Sequence, residues 1–275
     1  MNMQNNETLA TRSGFILPQV MNSDFTAEEL AEDMDGLRLS FKQVKIPAGG
    51  ALQFEVPSND PDNPDYTKTL EGVILYNHFS YAYWPENDDG DPDENATPLC
   101  QSVDGKVGYG TPGGICASCG YNRFGSRGRG KACKNSRVLY LLQSGEYMPI
   151  QISLPPTSLK PFNDFANFAF LIRQRGLCSS VVQIGLKRES NGKDDYSVAT
   201  FKVLYDFEGE ELAKIRAFSD QFREQAKAML SQRAAQNEAG AGDVEMAAAP
   251  RNMPENGEQF AVGRVIDGER EPLPA

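Results

Sequence analysis

Cys100, Cys116, Cys119 and Cys133 stand in C-x15-C-x2-C-x13-C spacing, the last three inside GICASCGYNRFGSRGRGKACK. Two residues between thiolates let both sulfurs reach one ion from a tight turn, and glycine flanks free the backbone to bend. Two further cysteines at loop distances complete a tetrahedral all-thiolate site. Structural zinc is therefore expected, with no coordination position left for a reactive water. The last ligand is open between Cys100 and His78, the one histidine of the chain. A redox CxxC would need a strand–CxxC–helix unit, which the surrounding sequence lacks. Cys178 stands alone after a helix end and reads as a core residue.

The same stretch is cationic. From Lys106 to Arg137 it holds seven basic residues (Lys106, Arg123, Arg127, Arg129, Lys131, Lys134 and Arg137) and no acid, in a chain of formal net charge −11. Arginine pairs with phosphate in fork geometry, and the interleaved Tyr121 and Phe124 offer stacking platforms for unpaired bases. Lys187 and Arg188 are weaker candidates. Just upstream, EGVILYNHFSYAYW reads as a long aromatic strand. Strict alternation puts Val73, Leu75, Phe79, Tyr81 and Tyr83 on one face, and Ile74, Tyr76, His78 and Trp84 on the other. The end nearest the cysteines, Tyr81, Tyr83 and Trp84, is expected to be exposed and to stack on bases.

Catalytic chemistry finds little support. A lone mid-strand histidine cannot serve both a triad and a histidine-ligated hydrolytic metal, and it reads as a core residue. The acidic loop ENDDGDPDEN lacks the full calcium-loop pattern. GYGTPG occurs without a phosphate-binding GK[ST]. No enzyme is expected.

The elements that must position these residues follow from periodicity. Residues 1–36 read as an arm with a short helix over Thr26–Met34, where Thr26 and Glu29 stand in capping-box spacing. Strands are expected over Leu37–Val44, Ala51–Val56, Glu71–Trp84, Arg137–Leu142, Met148–Leu154, Ser180–Arg188 and Tyr196–Tyr205. A helix over Thr157–Arg175, with Phe165, Phe168, Ala169 and Ile172 on one face, separates the third and fourth of the last five strands. Gly176 is its expected C-cap. That order matches a five-stranded Greek-key barrel of the OB type, an α+β, mainly β architecture. The core would span 37–206, with a zinc loop at about 98–137 inserted between the first two barrel strands. An amphipathic helix over 207–236, striped by Leu212, Ile215, Phe218, Phe222 and Met229, packs back on the domain or on a second subunit. The remainder, 237–275, holds eight acids against three arginines and is expected to be disordered.

The run LCQSVDGKVGYGTPGGICASCGYNRFGSRGRGKACKNSRVLYLL, continued by GEYMPIQISLPPTSLKPFNDF, resembles a group of bacteriophage and prophage proteins. They share the pattern C…GG-x-C-x-x-C-x-x-N-x-x-G…GKACK followed by LPP-x-S-L-K-x-F, and the match covers residues 98–170. The resemblance implies a single-stranded DNA-binding protein of replication or recombination. The overall plan is also similar to the zinc-containing single-stranded DNA-binding proteins of T-even phages: an OB-type core, a metal subdomain and an acidic tail. Their zinc site uses a histidine where this cluster offers four cysteines.

The expected partner is thus single-stranded DNA, with replication or recombination proteins recruited through the acidic tail. The alternative is a zinc-knuckle module that binds another protein and no DNA. No run of about 18 apolar residues occurs, so a membrane span is not expected. The opening MNMQNNETLATRSGF has neither a basic nor an apolar leader region, so a cytoplasmic setting is expected.

Overall fold

The structure, a computed structural model, describes residues 14–17, 41–58, 60, 63–86, 97–192 and 194–238. The short helix expected at Thr26–Met34, the acidic loop from Asn87 and the tail from Ala239 lie outside these residues. Strands are numbered in chain order: β1 Gln43–Lys45, β2 Phe54–Val56, β3 Asp65–Thr67, β4 Leu70–Tyr83, β5 Cys100–Ser102, β6 Val107–Gly110, β7 Gly114–Ile115, β8 Lys134–Leu142, β9 Ile150–Leu154, β10 Ser180–Ser190 and β11 Asp195–Asp206. The helices are α1, Pro156–Asn167, and α2, Gly209–Glu238. The protein is α+β and mainly β.

Among the described residues nine strands share one sheet, and β2 and β3 form a separate hairpin. The 14-residue β4 organises the sheet. It pairs with β8 from Val73 to Ala82, with β10 through Leu70–Gly72 and with β5 through Tyr81–Tyr83. Between the last two partners α2 takes over, and the Ser219 hydroxyl donates to the Leu75 carbonyl at 2.8 Å. One sheet face packs on α1 through Ile74, Leu139, Ile152, Leu154, Val182 and Phe162. The other packs on α2 and the Phe15 and Phe41 segments through Val73, Leu75, Tyr140, Ile215 and Phe222. Each such side chain, fully buried, contributes about 1.5–3 kcal/mol.

The expected closed barrel is corrected. Strands β9, β8, β4, β10 and β11 do pair in that order, but no β9–β11 ladder closes them among the described residues. The edge of β9 that closure would need is occupied by β1, which runs parallel to it with Val44 opposite Ile152. Helix α1 lies instead against β11: Phe162 and Phe165 meet Phe201 at 5.5 and 5.4 Å.

Two local breaks in periodicity matter. The register of β4 against β8 slips between Ile74 and Tyr76. The bulge exchanges faces: Val73 and Leu75 lie with Tyr140 on the α2 side, whereas Phe79 lies with Arg137 and Phe162 on the α1 side. Alternation across the whole strand is therefore wrong at its first half. Past Asn167 the chain also widens into a π-helical turn, Phe168–Ile172, closed by the Arg173 N–H on the Phe168 carbonyl at 3.0 Å. The wider turn breaks the expected stripe: Phe165 and Ala169 stay buried, but Phe168 and Ile172 are 49% and 73% exposed. Gly176 is not the left-handed residue that ends this helix; Gln174 is, at φ 52°.

Candidate metal centre and cationic lobe

Beyond the middle of β4 the sheet continues into a lobe formed by β5, β6, β7 and the loop to β8. Its turns are glycine-dependent for specific reasons. A Cβ on Gly108 would lie 2.8 Å from the Cys100 sulfur, and one on Gly110, at φ 102°, would lie 2.1 Å from the Leu99 carbonyl. The lobe has almost no apolar interior: Val103 and Ala132 are buried, while Val107, Ile115, Tyr121 and Phe124 are exposed.

The four predicted cysteines come together in this lobe. Cys100 opens β5 opposite both Tyr83 and Gly110. Cys116 follows β7, its N–H donating to the Lys106 carbonyl at 2.8 Å. The Cys119 N–H turns back on the Cys116 carbonyl at 3.3 Å, which makes the CxxC one tight turn. Cys133 enters β8 with its N–H on the Tyr121 carbonyl at 2.9 Å. Asn122 secures the arrangement by donating to the Cys116 carbonyl at 2.9 Å while accepting from Lys131 Nζ at 3.1 Å.

All four cysteines, with Tyr81, Tyr83 and Tyr121, line one cavity of about 10 Å³, room for a single atom-sized guest. They converge without closing on a common point: among the described residues no three His, Cys, Asp or Glu side chains form a ready metal-holding group. Burial pushes the Cys133 thiol up to about 12, with the Cys116, Cys100 and Cys119 sulfurs adding to it and Lys131 opposing. Burial also raises Cys100 and Cys116, against hydrogen bonds from the Gly113 N–H and Ser102 respectively. The donor set is soft and uniform, as zinc prefers. A dication would supply the charge that four clustered thiolates need.

His78 stands apart from this cavity. Its Nδ1–H donates to the Phe79 carbonyl at 2.9 Å, and Nε2 accepts from the Tyr140 hydroxyl at 3.3 Å. Burial holds its pKa below the ordinary histidine value. Cys100, rather than His78, stands with the other three cysteines.

The predicted contact residues divide into two groups. Arg123, Phe124, Arg129 and Tyr121 are exposed on the lobe, and Lys131, Lys134, Tyr81 and Tyr83 are half-buried. Tyr83 and Tyr121 stack at 4.5 Å, and Lys131 lies over the Phe124 ring at 5.0 Å. The others are structural. Arg127 pairs with Glu86 at 3.3 Å. Arg137 lies over the Phe79 and Phe162 rings at 4.5 and 5.2 Å, its Nε donating to Asn77 at 2.7 Å. Trp84, expected at the exposed end, is 4% exposed and packs with Ala82. Lys187 and Arg188 are remote, because β10 runs antiparallel to β4 and leaves it past Leu70, the end opposite the cysteines. Ile115 carries no signal in the sequence that marks it as a neighbour of the site.

No protein-family model, curated protein or solved structure matches this chain. The lobe must be read from its own residues. Among the described residues, no helix is long and apolar enough to cross a membrane.

Proposed function

We propose that the protein binds single-stranded DNA in the cytoplasm with little sequence preference and catalyses no reaction, its lobe shaped by zinc on Cys100, Cys116, Cys119 and Cys133. One observation carries this reading: a lobe with almost no interior turns cations and aromatic rings outward around four converging sulfurs. Bound zinc would contribute folding free energy and positive charge, not a reactive centre. Arg123, Arg129, Lys131 and Lys134 follow the phosphates, and Tyr81, Tyr83, Tyr121 and Phe124 meet the bases. Arg127 and Arg137 hold the platform in place. The strand order β9–β8–β4–β10–β11, with α1 between the third and fourth of these strands in sequence, is that of an OB barrel lacking its closing ladder. OB domains commonly hold single strands. The acidic tail, as a polyanion, competes for the cations or recruits replication and recombination proteins.

Mobility shifts with single strands, duplex and RNA, run beside a zinc determination, test this. One zinc per chain and retardation of the single strand that is lost on chelation are the expected results. A zinc-replete protein that leaves every strand unshifted overturns the reading.

A second reading, a protein-interaction module, is favoured by one observation. Phe168, Phe170, Leu171 and Ile172 are 49–73% exposed on one turn. Arg173 and Arg175 pin that turn to Asp206. Burial opposes ionisation of Asp206, but Arg173 and Ser180 outweigh it and hold the carboxyl below its ordinary range. Deleting residues 239–275 separates the readings. DNA affinity rises at low salt under the first and stays negligible under the second.

A further inference from the structure

An open pocket of about 360 Å³ lies on the lobe beside Tyr121, lined also by Pro112, Gly113, Ile115, Ser118 and Ser126. We infer that this pocket receives one unstacked nucleobase and is what lets the lobe distinguish a single strand from a duplex. The inference rests on the proposed DNA-binding function and assigns a task to residues outside the predicted contact set.

Three observations support it. First, the pocket shares Tyr121 with an existing stack. Tyr121 lies against Tyr83 with ring planes 20° apart, and it lines both the sulfur cavity and the open pocket. Second, Ile115 is 65% exposed at the end of β7. A β-branched apolar side chain left in water beside an aromatic ring offers a second apolar surface to a flat guest. The volume falls within the range of small-molecule pockets.

Third, the hydroxyls on the pocket wall are turned to the protein's own backbone. Ser118 donates to the Ile115 carbonyl at 3.2 Å. Ser126 Oγ lies 2.7 Å from the Arg123 carbonyl and 3.0 Å from the Tyr121 carbonyl, and it accepts from the Ala132 N–H at 2.9 Å. The pocket surface is mainly ring and apolar side chain, and both of its serine hydroxyls are already engaged by the backbone. Such a site holds any base by stacking, since every base has a π-face. The nearby cations attract the phosphates of either form of DNA. Only a single strand can deliver a base without first breaking a pair.

The test uses the zinc-replete full chain and fluorescence anisotropy at one fixed salt concentration. The probes are a labelled oligothymidylate, a base-free strand of the same length and a duplex. The wild type should bind the oligothymidylate at least about fivefold more tightly than the base-free strand. Ile115→Ser should cut that preference by about fivefold, leaving base-free and duplex affinities unchanged, whereas Ile115→Leu should keep it. Zinc content and melting curves check that the variants are folded. If Ile115→Ser loses zinc, Ile115→Thr, which retains the branched Cβ, replaces it. An unchanged preference in the folded polar variant overturns the pocket while leaving single-strand binding intact. Failure of the wild type to bind any strand removes the functional reading itself, and the pocket with it.

Discussion

Around Leu139 and Ile152 the protein is an ordinary packed interior: both side chains are fully buried, between strands on either side and α1 above. Around Cys116 and Cys133, on the same β4–β8 framework, Ile115 and Phe124 face water and half of the residues between the two cysteines are glycine or charged. The first region folds on apolar burial. The second has too little of it to stand alone, and the proposed zinc would supply what burial does not. The contrast means that the fold and the site answer to different perturbations.

The sharpest way to break the comparison is Cys133→Ser. Zinc content should fall to background and single-strand affinity by about a hundredfold or more, since several base contacts are lost together. The main melting transition, followed by circular dichroism, should remain. If the whole protein unfolds with the metal, the two regions are one cooperative unit and the contrast fails. Leu139→Ala is the reciprocal change. It should cost about 2–5 kcal/mol in urea unfolding while zinc stoichiometry stays at the wild-type value.

Smaller effects sharpen the picture. Single-strand affinity should fall with salt on a log–log plot, and Arg123→Ala or Arg129→Ala should each flatten the slope by about 0.7. Arg137→Ala should act through stability rather than slope, because its guanidinium lies against rings instead of facing solvent.

The smallest expected effect is at His78, whose pKa in the fold is lowered from 6.5, chiefly by burial. Below pH 6.5 the unfolded chain therefore takes up a proton that the folded chain resists. Stability should decline as pH falls from 6.5 towards the lowered folded value, then level off. His78→Phe should remove that decline, as read from melting temperatures across the window. A decline that persists assigns it to other groups.

Much of the sheet was legible because β4, β8, β9, β10 and β11 are apolar-rich runs bounded by turn residues, and α2 repeats apolar residues at three- and four-residue steps. What escaped was local. The bulge at Leu75 costs no residue type that marks it, yet it reverses the faces of everything before it. β5, β6 and β7 are two to four residues long, the last two half glycine, so no period could show them. At the site, the cysteines were legible as a set because their spacing is that of residues drawn together, and all four line one cavity. Trp84 was misjudged as exposed, and the intramolecular partners of Arg127 and Arg137 escaped notice, because charge and aromaticity are read from the sequence while exposure depends on neighbours such as Glu86, Phe162 and Ala82 that spacing does not reveal.

The course of α2 has a mechanical consequence. Near its start it is fastened to β4 by Ser219, and towards its far end Leu230 and Ala234 lie against Val103 at the base of the lobe. The lobe is therefore carried on three supports, β4, β8 and this helix. Two strands alone would form a hinge about which the lobe could tilt. The third support restrains that tilt, so under the proposed function the lobe would meet a strand already oriented and would itself lose less motional entropy on docking.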